Sequence, residues 1–257
     1  CIRDRYCLPG DVSSQFITGL LFVLPLLDGD SDLVLTSPLE SRGYVDLTLD
    51  VLRTFGIRVE ERADAFHVPG SQHYESRDFT VEADWSQAAF WYAANFAGGQ
   101  VDIQGLNMDS KQGDKVIALQ YWQLAKPGEA ELDVSQCPDL VPPLAAMAAV
   151  RAGTTHLTHA VRLRMKESDR LSTVAAALRA MGAQVEEGAD SLTIHGRERL
   201  PGGGTVDCCN DHRIAMMAAV SAAFAQAPVK LLGAECVRKS YPEFWDHFIQ
   251  LGGEAHG

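Results

Sequence analysis

"LRTFGIRVEERADAFHV" (residues 52–68) and "LRAMGAQVEEGADSLTI" (178–194) align without a gap at an offset of 126 residues. Leu, Arg, Gly, Val, Glu, Glu, Ala and Asp recur at matching places. Each copy reads as the end of an amphipathic helix stopped by glycine (Gly56, Gly182), then a strand, a tight turn and a second strand. One scaffold is therefore used at least twice in this chain.

Carried upstream at the same offset, the register pairs Ser13 with Asp139, Ser41 with Glu167 and Tyr44 with Arg170. These positions carry hydroxyls in one copy and charges in the other, at or just before expected helix starts. A solvated helix face has no reason to keep such positions in register, whereas sites grafted onto a repeated fold do. Weaker copies occupy 81–106 ("VEADWSQAAFWYAANFAGGQVDIQGL") and 206–234 ("VDCCNDHRIAMMAAVSAAFAQAPVKLLGA"), each read as strand, helix, strand. The pattern predicts an α/β (α+β) chain of repeated βαβαββ units starting near residues 10, 82, 138 and 208, the second shortened over 121–138 and the last cut short. Pro201 with Gly202 to Gly204 reads as a turn, not a phosphate loop, because no GK[ST] follows.

The totals narrow the chemistry. A net charge of -12 argues against nucleic acid as partner, since a phosphate backbone needs basic surface. An anionic ligand must then be held by a local cluster of cations. The apolar run Phe16–Leu27 is too short to span a bilayer and contains Pro25, so no membrane partner is expected. The six cysteines lack CxxC spacing, which fits a reduced, cytoplasmic setting. Cys208, Cys209 and His212 lie close together, but adjacent cysteines rarely converge on one tetrahedral ion, and no metal is expected.

Polar groups gather at three helix starts. Ser13 and Ser14 in "GDVSSQF" precede an apolar helix over Phe16–Leu24. They read either as caps or as hydroxyls that, with free N–H groups and the helix dipole, hold a phosphate. In "RLRMKESDRL" (162–171), Ser168 is the expected cap of a helix through Leu171, Val174, Leu178 and Met181. Lys166 and Glu167 lie just before that helix and Arg170 in its first turn, where a cation opposes the dipole. A Glu167–Arg170 ion pair is the plainer reading of this run. In "NDHRIAM", Asn210 or Asp211 can cap, with His212 and Arg213 in the first turn. Lys239, in "VRKSYPEFW", is either an exposed loop lysine or a fourth cation beside Lys166, Arg170 and Arg213. Asp139 and Glu167 add acid or base capacity. Arginine forks suit carboxylates, so the set fits a substrate carrying phosphate and carboxylate.

"GDVSSQF", "RGYVDLTLDVLRTFGI", "RMKESDRL", "NDHRIAM" and "VRKSYPEFW", in that order, resemble the 5-enolpyruvylshikimate-3-phosphate synthase family (3-phosphoshikimate 1-carboxyvinyltransferases) from about residue 8 to the C-terminus. The resemblance implies an enolpyruvyl transferase-like inside-out α/β barrel of two domains, one of them truncated here. It also implies an enzyme that moves the enolpyruvyl group of phosphoenolpyruvate to the 5-hydroxyl of shikimate 3-phosphate and releases phosphate without cofactor. That reaction lies on the route to chorismate and aromatic amino acids, and the family is the target of glyphosate. It further implies a cytoplasmic protein, monomeric at full length. Residues 1–82 would be the last unit of the shikimate-phosphate-binding domain, and 83–257 most of the second domain. Carried over by motif, Ser13, Ser14, Gln15, Ser41 and Tyr44 would hold shikimate 3-phosphate, with Gln15 between the substrates. Asp139 and Lys166 would bind shikimate hydroxyls, Asp139 taking the 5-hydroxyl proton. Glu167 would act as acid and base on the methylene carbon. Arg170, His212, Arg213 and Lys239 would hold phosphoenolpyruvate.

Arg162 stands where the family usually has an asparagine, so it is left outside the expected site. Family members are longer by about 150 residues, one typical domain. On that ground this length of chain is expected to be inactive by itself. UDP-N-acetylglucosamine enolpyruvyl transferase, which shares fold and chemistry, and a non-catalytic binding fragment are the alternatives.

Overall fold

The two glycines that stop the repeated helices have the same backbone geometry. In the computed structural model, which describes residues 4–256, Gly56 and Gly182 adopt φ of +83° and +87°. Ile57 N–H donates to the Leu52 carbonyl and Ala183 N–H to the Leu178 carbonyl, both at 2.9 Å. This returns the chain sharply out of each helix into the following strand.

Two compact units result, each described by itself. The first comprises the residues up to Glu82 together with Asn107–Gly113. It runs β1 (Arg5–Leu8), α1 (Ser14–Val23), β2 (Ser31–Leu35), α2 (Arg42–Thr54), β3 (Glu60–Arg62) and β4 (Ala65–Val68). The sheet order is β1-β2-β4-β3. β1 and β2 are parallel, Cys7 opposite Val34, while β4 is antiparallel to both β2 and β3. Ile17, Leu21, Val45, Leu49 and Leu52 from the helices close over Leu33 and Phe66 of the sheet. The excursion Asn107–Gly113 was not part of the expected single boundary at residue 82. It is tied to this unit by Ser110 Oγ and Gln112 Nε2, which donate to Glu82 at 2.6 and 3.1 Å.

The second unit holds Ala83–Leu106 and the chain from Asp114 onward. It contains α3 (Trp85–Phe96), α4 (Ile117–Leu124), β5 (Ala130–Asp133), α5 (Val141–Ala149), β6 (Thr154–Thr158), α6 (Arg170–Ala180), β7 (Gln184–Glu187) and β8 (Leu192–His195). β9 (Thr205–Asp207), α7 (His212–Ala223), β10 (Lys230–Leu232) and α8 (Phe244–Gln250) complete it. The sheet β5-β6-β8-β7 repeats the order and strand directions of the first unit, and β9 and β10 pair in parallel. Every residue of α5 is buried, and so are ten residues of α7. A helix apolar on all sides belongs at a centre. α3, α5 and α7 accordingly pack on one another. Pro142 and Pro143 are tolerated because they fall in the first turn of α5, where the N–H groups have no helical partner.

Two expectations are corrected. Residues 81–106 form only α3, without strands on either side. The backbone of Val101 is satisfied by a side chain instead: its N–H donates to Asn95 Oδ1 at 2.7 Å, and Asn95 Nδ2 donates to its carbonyl at 2.9 Å. Ser168 does not cap α6. Asp169 does, accepting from Ser172 N–H at 3.2 Å. No helix among the described residues is long and apolar enough to cross a membrane.

The two glycines also give a stability test. A Cβ at Gly182 would meet the Pro201 ring at 2.7 Å, whereas at Gly56 it would meet the movable side chain of Glu75. In urea unfolding, Gly56→Ala and Gly182→Ala should each lose about 1–2 kcal/mol for a left-handed non-glycine residue. Gly182→Ala should lose more, because a proline ring cannot swing away.

Candidate active site

β1 and β2 are adjacent and parallel, so the loops after them emerge at one sheet edge. Glu40 N–H donates to the Gly10 carbonyl at 3.1 Å, and Gly10 N–H to Ser37 Oγ at 2.9 Å. These bonds bring the starts of α1 and α2 together. Ser13 caps α1, accepting from Gln15 N–H at 3.3 Å; Ser14 is buried and Gln15 exposed. Ser41 precedes α2 with φ +53° and ψ +44°, and its hydroxyl makes no capping bond. It is 1% exposed, and a non-glycine residue in this region is strained. Tyr44 is half-buried in the first turn, its N–H on the Ser41 carbonyl at 3.1 Å.

The second unit makes the same kind of edge from β5 and β6, with charges in place of hydroxyls. Asp139 lies in the short 3₁₀ turn ahead of α5. Its Oδ1 accepts from Arg170 Nη1 at 2.8 Å and lies 3.7 Å from Lys166 Nζ. Its Oδ2 accepts from Arg213 Nη2 at 3.0 Å. One carboxylate thus gathers three cations from the starts of two further helices. Arg213 Nη2 also donates to Ser86 Oγ of α3 at 3.2 Å.

Arg170 is 0% exposed, which is tolerable for a guanidinium only with every side paired. Nε donates to Asp211 Oδ2 at 2.9 Å, Nη1 to Asp139, and Nη2 to Glu167. The plainer reading of the charge run, a Glu167–Arg170 pair, is therefore present. Yet the Glu167 side chain is 42% exposed, so its carboxylate stands at the open rim of an otherwise closed cage. His212 is buried, and its Nδ1 has no hydrogen-bond partner among the described residues. Lys239 reaches the loop ahead of α7, where Nζ donates to the Asn210 carbonyl.

The charges set the protonation. Burial would raise the Asp139 pKa, but the Arg213, Lys166 and Arg170 charges outweigh it and hold the carboxyl well below the ordinary range. Asp211 is held low in the same way, burial being overcome chiefly by Arg170. His212 is pushed down by burial and then by Arg213, which keeps the imidazole neutral. Burial raises the Cys208 thiol to about 12, so it is a protonated core residue. Among the described residues no group of His, Cys, Asp and Glu is arranged to hold a metal ion.

Neither α6 nor α7 carries an acidic residue in its first turn. Both helix starts therefore present positive dipole ends beside cationic side chains, an arrangement that attracts anions. Two participants were missed by sequence reasoning. Asp211 was foreseen only as a cap, and Ser86 not at all. Arg170 lies 41 residues from Asp211, and Arg213 lies 127 from Ser86, so no local pattern links them.

Residues 5–248 match the EPSP synthase (3-phosphoshikimate 1-carboxyvinyltransferase) family. The chain belongs to that family. It is 47% identical to the 3-phosphoshikimate 1-carboxyvinyltransferase of Clostridium acetobutylicum, over 97% of this chain and 61% of the relative. The chain thus spans about three-fifths of the length of that EPSP synthase. Among solved structures, EPSP synthase of Acinetobacter baumannii superposes with a TM-score of 0.81 at 23% identity, over 97% of this chain and 62% of the other. The enolpyruvyl transferase NikO of Streptomyces tendae gives 0.65 at 17%, over 96% and 61%. The fold is that of the enolpyruvyl transferases.

The cage makes an acid-stability prediction for this EPSP synthase family member. Asp139 and Asp211 titrate low when folded, so their contribution is present above the unfolded carboxyl pKa of about 3.9 and is lost as pH falls below it. Arg170→Met removes a partner from both and should destabilise by about 3–5 kcal/mol at pH 7. Denaturant unfolding of variant and parent should show that gap narrowing at pH 3.

Proposed function

We propose that the full-length protein transfers the enolpyruvyl group of phosphoenolpyruvate to the 5-hydroxyl of shikimate 3-phosphate, releasing phosphate. The observation that carries this reading is the pair of unlike carboxylates: Asp139 buried and ionised among three cations, Glu167 at the solvent rim. Two carboxyl groups in opposed environments suit separate acid and base roles. The Clostridium acetobutylicum relative named above is called 3-phosphoshikimate 1-carboxyvinyltransferase, which favours this acceptor over UDP-N-acetylglucosamine. We also propose that residues 1–82, with Asn107–Gly113 added to them, are the last unit of a shikimate-phosphate-binding domain and that the rest of 83–257 forms most of a second domain.

In this reading Ser13, Ser14 and Ser41 hold the shikimate phosphate at the starts of α1 and α2, with Gln15 and Tyr44 beside it. Arg170 and Arg213 turn their Nη groups to the phosphoenolpyruvate carboxylate, near neutral His212, and Lys239 leaves the Asn210 carbonyl for its phosphate. Lys166 holds a shikimate hydroxyl. Anions arriving on these cations reduce the charge that depresses Asp139, so substrate binding itself makes Asp139 a stronger base. Asp139 then takes the 5-hydroxyl proton while the oxygen attacks C2, and Glu167, released from Arg170 by the substrate carboxylate, delivers a proton to the methylene carbon. The product is a tetrahedral ketal. Glu167 retrieves a proton from the new methyl group as the C2–O bond to phosphate breaks, and Asp139 returns its proton to the departing phosphate. Positioning and fixed charge supply most of the acceleration.

The test is phosphate release by the full-length gene product, which should require both substrates; release independent of shikimate 3-phosphate would end the proposal. The 257 residues alone should not turn over. Glu167→Gln should lower kcat by about 10²–10⁴-fold, the usual worth of a general acid–base group, with little change in either KM. Ser41→Gly suits the left-handed backbone, so it should leave the melting temperature unchanged or higher. It should also raise the KM for shikimate 3-phosphate by about tenfold or more, as expected for a lost bond to a charged group.

A further inference from the structure

Asp211 is fully buried and does two things at once. Its Oδ1 accepts from Arg213 N–H at 3.0 Å, capping α7, and its Oδ2 accepts from Arg170 Nε at 2.9 Å. Ser168 Oγ adds a third donor to Oδ2 at 3.1 Å, which is why that serine does not cap α6. The carboxylate therefore binds the backbone of one cationic helix start and the side chain of another.

We propose that Asp211 is a positioning residue that aims the Arg170 guanidinium and fixes its spacing from Arg213, so that both face one anionic group. The proposal rests on the proposed function and concerns how its two arginines are held. A guanidinium donates from two edges. Asp211 takes the edge formed by Nε and Nη2: its Oδ2 accepts from Nε at 2.9 Å and its Oδ1 from Nη2 at 3.4 Å, the nitrogen it shares with Glu167. The Nη groups go to Asp139 and Glu167, the partners a substrate carboxylate would replace. Nε stays anchored while the Nη groups exchange partners, so the plane of the fork is set before the ligand arrives. The same carboxylate fixes the first turn of α7, and with it the origin of the Arg213 side chain. Bidentate recognition of a carboxylate depends on that orientation.

Asparagine separates positioning from capping. Asn caps helices as well as Asp does, so Asp211→Asn can keep its oxygen on Arg213 N–H. Its amide NH₂ then faces Arg170 Nε–H, donor against donor, and the fork is released. In the full-length protein, Asp211→Asn should stay folded but melt below the parent, because the buried Arg170 guanidinium loses a carboxylate partner, and should raise the KM for phosphoenolpyruvate by about 10- to 100-fold, the worth of a bond to a charged group. The KM for shikimate 3-phosphate should stay unchanged. A parental KM for phosphoenolpyruvate in Asp211→Asn would overturn the proposal, as would an equal loss of affinity for both substrates. A readout independent of turnover is the ¹⁵N–¹H resonance of Arg170 Nε. It should be protected from water exchange in the parent and lost in Asp211→Asn; protection in both would overturn the positioning role even if the enzyme acts on another substrate. Absence of shikimate-3-phosphate-dependent turnover in the parent would count against the proposed function alone.

Discussion

Asp139 shared among Arg170, Arg213 and Lys166 is the interaction on which the rest of the second unit depends. Cations in the first turns of α6 and α7 oppose the helix dipoles, and Arg170 has no access to water. Neither placement is stable without a carboxylate in reach. Asp139 reaches α6 because β5 and β6 are parallel and release their chains at one edge, and it reaches α7, which follows β9 of another sheet, because α5 and α7 pack together; Asp211 completes the enclosure from the start of α7. The cage is thus a consequence of strand direction and helix packing, with the charges added to it.

The first unit has the same edge with the charges left out. At positions matched by the repeat, Ser13 and Ser41 stand where Asp139 and Glu167 stand in the second. Hydroxyls impose no charge balance on their own unit, so this edge needs no internal counterions. Ser41 is held in left-handed backbone geometry, and its hydroxyl does not cap the helix it precedes. Strain of that kind is retained where a group must point in one direction. Built twice on one frame, the same kind of edge carries hydroxyls in one unit and charges in the other.

Much of this was legible in the chain because the repeat is local. Gly56 and Gly182, the strand pairs after them, and the helix starts at Ser13, Ser41, Asp139 and Arg170 all follow from short-range periodicity and turn chemistry. What stayed hidden is what folding brings from afar. Val101 reads as a strand residue, yet the Asn95 amide satisfies its backbone before any neighbouring strand does. Ser168 is as good a cap as Asp169 by propensity, but its hydroxyl is drawn to Asp211, which comes from a later helix. The segment Asn107–Gly113 carries no compositional break to announce that it belongs with the first unit; the bonds from Ser110 and Gln112 to Glu82, and the close approach of Gly113 to Gly43, appear only on folding.

The central claim is that a carboxylate cage built at helix starts is a preformed anion seat, its cations held by internal carboxylates until substrate takes their place. A crystal structure of the full-length protein with shikimate 3-phosphate and phosphoenolpyruvate bound tests it most directly. The account predicts Arg170 and Arg213 donating to the phosphoenolpyruvate carboxylate, Glu167 moved off Arg170, and Asp211 still on Arg170 Nε. Ligand density remote from this cage, with Glu167 and Asp139 unchanged on Arg170, would contradict it.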